Sequence, residues 1–392
     1  MPVPTYPPTN LSTYHARVHV LVAPQEFKGS LSAEEAADAI ARGIRRARPE
    51  WTIELLPMSD GGPGLLESLR RAIRCDTLAA VVHDALGRKV LARYAIVRAT
   101  REVIIEAAQA NGLMHIAPGE RDALRADTFG VGEIILDAVS LAPPRIIVGV
   151  GGSATTDGGA GMARALGARL LDAHGNELRP GGAALARLAR IEWRPPAWLE
   201  STDIVVATDV TSPLNGREGA ARIFGPQKGA TPADVETLES ALEHYSVVVT
   251  ETLGRDVADL PGAGAAGGLA AGLVAFLGAR IESGFDVVAA ASNLHERLAR
   301  ADLVLTGEGS FDGQSLKGKV TGRLLALADA AGKPAIIFAG RTDSSSPDIH
   351  TISSIQPDAG AAMRDASELL TRLAFDWAAA VTIQSAIGDR ES

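Results

Sequence analysis

One cysteine, Cys75, stands among 392 residues, so no internal disulfide can form and a reducing, cytoplasmic setting is expected. Aromatic side chains make up only 4% of the chain, which leaves alanine, valine and leucine to build cores of closely packed helices on buried sheets. No stretch reaches the roughly 18 consecutive apolar residues that a membrane helix needs. The opening MPVPTYPPTNLSTYHA has no apolar centre and does not read as a signal peptide; residues 1–15 are expected to be a disordered leader. Positive charge is scarce as well. The formal net charge is −9, which argues against a nucleic-acid partner and means that any anionic ligand must be met by locally placed Lys and Arg. There is no H-E-x-x-H, C-x-x-C or G-x-S-x-G, so zinc and serine hydrolase chemistry has no support.

What is present is an alternation of strand and helix patterns, on a chain long enough for two domains. Strands are expected at Arg17–Val22 and Thr52–Leu56, each followed by a polar loop and a helix, the first helix opened by an S-x-x-E box at Ser32 and Glu35. That order predicts parallel strands with both loops at their C-terminal ends. Residues 78–106 differ. Three short strands there, two joined by a turn at Asp84–Arg88, suit an antiparallel or mixed sheet, and a second domain is expected to begin near residue 77. Later strands are expected at Arg145–Val150, Asp203–Thr208, Ala301–Thr306 and Lys333–Ala339, with helices at Phe129–Leu141, Ala233–Leu253, Gly267–Leu277 and Ala359–Ala386.

Arg145–Gly161, RIIVGVGGSATTDGGAG, is the most informative segment. A β-branched strand stops at Gly151-Gly152 and re-enters a helix near Gly159. Such a turn leaves backbone N–H groups beside a helix N-terminus, a setting for an anion, with Ser153 and Thr155 as further donors. Four more polar loops follow expected strands or carry lysine: Gln25–Ser30, Ser59–Gly62, Asp209–Leu214 and Gly307–Asp312. Together they supply what phosphoryl transfer requires, namely cations for phosphates, acids for Mg²⁺ and a carboxylate for the accepting hydroxyl. Lys28, Lys228 and Lys319 are the candidate phosphate lysines, and Glu308 and Asp312 the candidate Mg²⁺ ligands. Two literal matches fail. The G-x-G-x-x-G at Gly262–Gly267 has no strand before it, and GQSLKGK at Gly313–Lys319 has Val320 where a P-loop needs Ser or Thr, although Lys317 and Lys319 can still meet phosphate.

The segments APQEFKGSLSAEEAADAI, LLPMSDGGPG, EAAQANGL, TFGVGEIILDA, IIVGVGGSATTDGGAGMARALGA, ATDVTSPLNGREGAARIFGPQKGA, PGAGAAGGLAAGL and ADLVLTGEGSFDGQSLKGK run in order over about residues 18–340. In this the chain resembles the glycerate kinase family, type-1 group. The resemblance implies an α/β protein of two α/β domains, a Rossmann-like parallel-sheet domain (16–76 plus 285–392) with a mixed-sheet domain (77–284) inserted in it and the active-site cleft between them. It implies a transferase in glycerate metabolism, an ATP-dependent kinase of D-glycerate, with 2-phosphoglycerate expected over 3-phosphoglycerate. The expected cofactors are ATP and Mg²⁺, and the partners are small molecules, with neither nucleic acid nor membrane; a homodimer is compatible with it.

The site assembled from these readings has Asp157 as leading general base, Asp209 as its rival and Lys28 as catalytic cation. Ser30, Asp60, Gly61, Gly62, Gly151, Gly152, Ser153, Thr155, Lys228 and Lys319 bind substrate and phosphate, and Glu308 and Asp312 bind metal. Pro63 stands where the family carries Glu, Ser310 where Arg is common, and VTGRLL replaces a small-residue run after Lys319. A kinase of a related hydroxy acid and a non-catalytic binding protein are the alternatives; the retention of so many acids speaks against the second.

Overall fold

The computed structural model describes residues 18–381 other than 314, 317 and 318. The expected leader and Lys317 therefore lie outside the described residues. The chain divides into two compact units. The first runs to Ser59, takes in Glu67–Ile73 and resumes at Val288; the second comprises Asp60–Leu66 and Arg74–Val287.

The first unit is built on five strands, all parallel, in the order Ile349–Thr351, Ala335–Thr342, Leu303–Phe311, His19–Val22 and Thr52–Leu55. Side chains alternate across a strand, so its apolar runs bury on both faces. Ile336 and Phe338 join Val20, Val22, Leu303 and Leu305 under helices Ala33–Ala47 and Ala366–Ala380. Ile337 and Ala339 turn the other way, toward Leu325 of helix Val320–Ala330. Trp377 packs edge-on against Trp51 and Phe338, with ring centroids 6.3 and 5.9 Å apart. Burying side chains of this size contributes roughly 1.5–3 kcal/mol each. The Ser32–Glu35 capping box forms as expected. One strand departs from the sequence reading. The expected Ala301–Thr306 continues to Phe311, because Ala335–Thr342 pairs with it through Ser310–Arg341 and Phe311–Thr342, so GEGSF is strand and not loop. The expected Ala359–Ala386 helix is two helices, Ala359–Arg364 and Ala366–Ala380, and its last residues lie outside those described.

The second unit holds a mixed six-stranded sheet, ordered Arg280–Glu282, Asp203–Ala207, Arg145–Gly149, Val103–Glu106, Lys89–Val97 and Cys75–His83. The first four run parallel and the last two pair antiparallel. The hairpin joining those two is closed by Asp84, whose carboxylate accepts from the backbone N–H of Leu86 and Arg88 and from the Arg88 side chain. Ile146, Val148, Ile204 and Val206 face a core with Ile134 and Ile135 of helix Phe129–Val139 and with Leu238, Leu242 and Tyr245 of helix Pro232–Leu253. Ile147, Val205 and Ala207 face the opposite way and pack with Val287. A small pair, Arg169–Leu171 with Arg190–Glu192, has no counterpart in the sequence reading. Among the described residues no helix is long and apolar enough to cross a membrane.

Candidate active site

In the second unit the parallel strands Arg145–Gly149 and Asp203–Ala207 end side by side, Gly149 opposite Ala207. Asp209 lies just past the second strand, half-buried, and its carboxylate accepts from the Phe285 N–H at 3.3 Å. Asp60 comes to the same end. Its side chain accepts from Gly62 N–H at 3.0 Å, and a Cβ on Gly284 would lie 1.9 Å from its carbonyl oxygen. Asp60 and Asp209 are thus located by consecutive residues, Gly284 and Phe285. Gly61 makes this approach feasible, since its φ is +89° and a side chain there would meet the Ala207 carbonyl at 2.4 Å. A Cβ on Gly151 would in turn strike the Gly62 Cα at 2.4 Å, so the two glycine turns touch backbone to backbone. Asp60 and Gly152 are exposed and Gly151 half-buried, which leaves this group open to a ligand.

The rest of the glycine-rich segment turns inward and takes Asp157, the expected general base, with it. That residue is 0% exposed. One carboxylate oxygen accepts from the N–H and hydroxyl of Thr128 and from Gly161 N–H, all at 2.9 Å, and the other accepts from Gly159 N–H at 3.2 Å. Burial pushes its pKa up while those donors pull it down. Held by these four donors, Asp157 ties two loops together out of contact with solvent. Ser153 and Thr155, expected on phosphate, turn inward as well. Both are buried, the Ser153 hydroxyl accepts from Thr155 N–H, and the Thr155 hydroxyl accepts from the Asn111 amide at 3.1 Å. Lys228, expected on phosphate, is 2% exposed and donates to the Thr155 carbonyl at 2.5 Å. Burial draws its pKa down to about 7 against the raising effect of the Asp157 charge. The dense glycines have a packing cause. A Cβ on Gly159 would stand 2.9 Å from the Gly272 Cα, where helix Ala265–Leu277 comes into contact.

In the first unit the strand ends gather a second set. Glu308, in strand Leu303–Phe311, is 4% exposed; its Oε2 accepts from the Gln25 amide at 3.3 Å. Its Oε1 is buried and makes no hydrogen bond of ordinary length, although the Thr321 and Ser315 hydroxyls stand near enough to favour the ionised form. Burial raises its pKa, with Lys319 opposing and Asp312 adding to the rise. Lys28 is exposed, its ammonium 4.0 Å from Glu26, and a Cβ on Gly309 would come 3.2 Å from the Lys28 backbone nitrogen. The Ser30 hydroxyl donates to the Phe27 carbonyl at 3.0 Å and closes its own turn. In the helix after Lys28, the Ser32 side chain takes the Glu35 N–H, and Glu34 and Glu35 place negative charge in the first turn, which disfavours a phosphate there. The helix Val320–Ala330 behind Lys319 has no side-chain cap and no acid in its first turn. Asp312 accepts from Ser315 N–H at 3.2 Å.

Three residues of the two sets were not singled out from the sequence. Gln25 is the partner of Glu308. Glu106, buried at the end of its strand, accepts from Leu66 N–H at 3.3 Å. Asn111 is buried with its side-chain oxygen unpartnered. The signal that would have found them is their place in APQEFKGS and EAAQANGL, beside strand ends.

A sequence model of the glycerate kinase family matches residues 20–382. A glycerate 2-kinase of Escherichia coli (strain K12) is 45% identical over 322 residues, 82% of this chain and 84% of its own length. A glycerate kinase of Bacillus subtilis (strain 168) is 39% identical over 373 residues, 93% of this chain and 98% of its own. A crystal structure assigned to glycerate kinase 2 of Salmonella typhimurium LT2 superposes with a TM-score of 0.79 at 41% identity, covering 93% of this chain and 98% of that one. The α/β fold, the acid-bearing strand ends and these matches together establish that the chain belongs to the glycerate kinase family.

Proposed function

We propose that this chain transfers the γ-phosphoryl group of ATP to the 2-hydroxyl of D-glycerate, giving 2-phosphoglycerate and ADP. The hydroxyl oxygen bonds to the γ-phosphorus, the bond from that phosphorus to the β–γ bridging oxygen breaks, and the hydroxyl proton passes to a carboxylate. Asp209 takes that proton, replacing Asp157 in the role. Asp60 and the Gly151–Gly152 turn position the acceptor. Lys28, Lys319 and the uncapped first turn of helix Val320–Ala330 meet the phosphates, whose charge the overall field of the chain would otherwise repel.

The residues fit a magnesium ion. A buried carboxylate oxygen without a hydrogen bond, on Glu308, is what a hard cation needs, and Asp312 is its acidic neighbour. Among the described residues no group of three or more His, Cys, Asp or Glu could hold a metal alone. That suits an ion held by one or two carboxylates together with phosphate oxygens and water. When bound, Mg²⁺ offsets charge on the phosphate oxygens. A cytoplasmic location completes the proposal, in keeping with the single free Cys75.

The observation that supports this reading most is the pairing of Asp60 with Asp209 through Gly284 and Phe285 at the ends of parallel strands, where open α/β sheets receive ligands. The 2-position is supported by the glycerate 2-kinase relative. The test is turnover with ATP, Mg²⁺ and D-glycerate, followed by ³¹P NMR of the product. A 2-phosphate is expected. A 3-phosphate overturns the regiochemistry, and turnover only with another hydroxy acid overturns the substrate.

A further inference from the structure

Within the second unit an open cavity of about 1220 Å³ lies among the hairpin turn at His83–Gly87, residues 120–129 and the segment Arg179–Arg187. Nothing in the proposed phosphoryl transfer uses it. Four arginines line it, in a chain whose net charge is −9.

The acids of the cavity wall are already matched. Glu120 takes Arg88 at 3.1 Å, Asp122 stands 4.0 Å from Arg125, and Asp127 stands 3.8 Å from Arg164. His83 is occupied by Glu133 at 2.9 Å. Two cations are left over. Arg179 and Arg187 both line the cavity, and among the described residues neither makes a hydrogen bond or an ion pair. The segment that bears them is fixed in place. Ala183 N–H donates to the Leu124 carbonyl, and a Cβ on Gly181 would lie 2.4 Å from that same oxygen. The arginines therefore project from a backbone docked on the cavity wall, not from a free loop. Asp127, the acid deepest in this wall, is pushed up to about 6 by burial and by the charge of Asp157, which weakens the one buried negative charge facing the cavity.

We propose that this cavity is a second anion site, which binds a small organic polyanion, phosphorylated or polycarboxylic, through the guanidinium groups of Arg179 and Arg187. A guanidinium presents parallel N–H groups that match a phosphate or carboxylate edge, and two of them on one cavity select a ligand with at least two negative charges. None of its lining residues is among those assigned to phosphoryl transfer, and the site stands whether or not the chain phosphorylates glycerate.

The test uses the full chain, with inorganic pyrophosphate and citrate as separate probes, titrated calorimetrically in the presence of a saturating non-hydrolysable ATP analogue. Binding of either probe is expected, pyrophosphate alone marking a phosphoryl ligand and citrate alone a polycarboxylate. The R179A/R187A double variant should weaken it roughly tenfold or more, while KM for ATP and glycerate stays within about twofold of the parent. The R179K/R187K variant keeps charge and removes the fork, so it should fall between the two. The proposal is overturned if neither probe binds the folded parent at millimolar concentration, or if R179A/R187A binds as the parent does.

Discussion

Two loops at the same end of the mixed sheet carry aspartates with opposite fates. Asp157 sits in the densest glycine motif of the chain and is sealed, with four donors on its carboxylate. Asp209 follows a plain β-strand, in a segment with no glycine beside it, and stays half-buried with its carboxylate near the rim. Glycine removes side chains, and that can uncover N–H groups for a ligand or let two backbones pack together. At Gly159 the second use prevails, because Gly272 of a helix fills the space. A glycine-rich turn therefore marks close approach, and only the fold says what approaches.

The sharpest way to break this comparison is to exchange roles by mutation. Asp157→Ala leaves three backbone N–H groups and a hydroxyl of the buried network without an acceptor, and should cost about 3 kcal/mol or more. Thermal melting should show the loss as a fall of several degrees, and a variant that melts like the parent but has lost turnover would return Asp157 to catalysis. Asp209→Asn should do the reverse, lowering kcat by roughly a hundredfold or more with the melting temperature and KM for ATP almost unchanged. Kinetics within a few fold of the parent would remove Asp209 as base. Glu308→Gln keeps the shape of the buried side chain and removes its charge. The Mg²⁺ concentration for half-maximal rate should rise by about tenfold, in line with the loss of a charged ligand; an unchanged requirement would make Glu308 structural.

The pH dependence of stability offers a subtler test of the sealed region. Asp127 has its pKa near 6 in the fold against 3.8 ordinarily, so between those values the folded state holds the extra proton and stability falls as pH rises. The raised pKa of Asp157 acts in the same direction. Lys228 is at about 7 against 10.5, so between those values the unfolded chain holds the extra proton and stability rises with pH. The melting temperature should therefore pass through a minimum between about pH 6 and 7. Lys228→Met should flatten the limb above pH 7, and an unchanged limb would show that Lys228 does not titrate as its burial implies. The smallest effect belongs to the two helix starts of the first unit. Ser32→Ala should destabilise by about 1 kcal/mol, the usual worth of a cap. Lys319→Ala, at the uncapped helix, should leave melting unchanged and raise KM for ATP.

How much of this was legible follows from the range of the forces involved. The capping box at Ser32 and Glu35 involves neighbours three residues apart, and the sequence shows it outright. The strands Val103–Glu106 and Lys89–Val97 follow from short β-branched and alternating runs. The fold as two α/β sheets was legible through the order of these elements and through the resemblance. Asp157 and Lys228 were not, because their burial rests on Thr128, 29 positions away, and Thr155, 73 positions away. GEGSF looked like a turn for the same reason, since its extended form is imposed by pairing with Arg341 and Thr342. Asp60 and Asp209 were legible as residue types, while their common mounting on Gly284 and Phe285 was not.

The strand order of the first sheet also sets a timetable. His19–Val22 is hydrogen-bonded directly to Leu303–Phe311, and the Thr306 hydroxyl reaches Ala23 across 283 positions of sequence. On a ribosome making 5–20 residues per second, the first strands wait roughly 15–60 s for their partner to emerge. The mixed sheet draws all its strands from Cys75 to Glu282 and can close during that interval. The chain is thus expected to complete the mixed sheet before the parallel one, with the apolar strand His19–Val22 open to chaperones until Leu303–Phe311 has been synthesised.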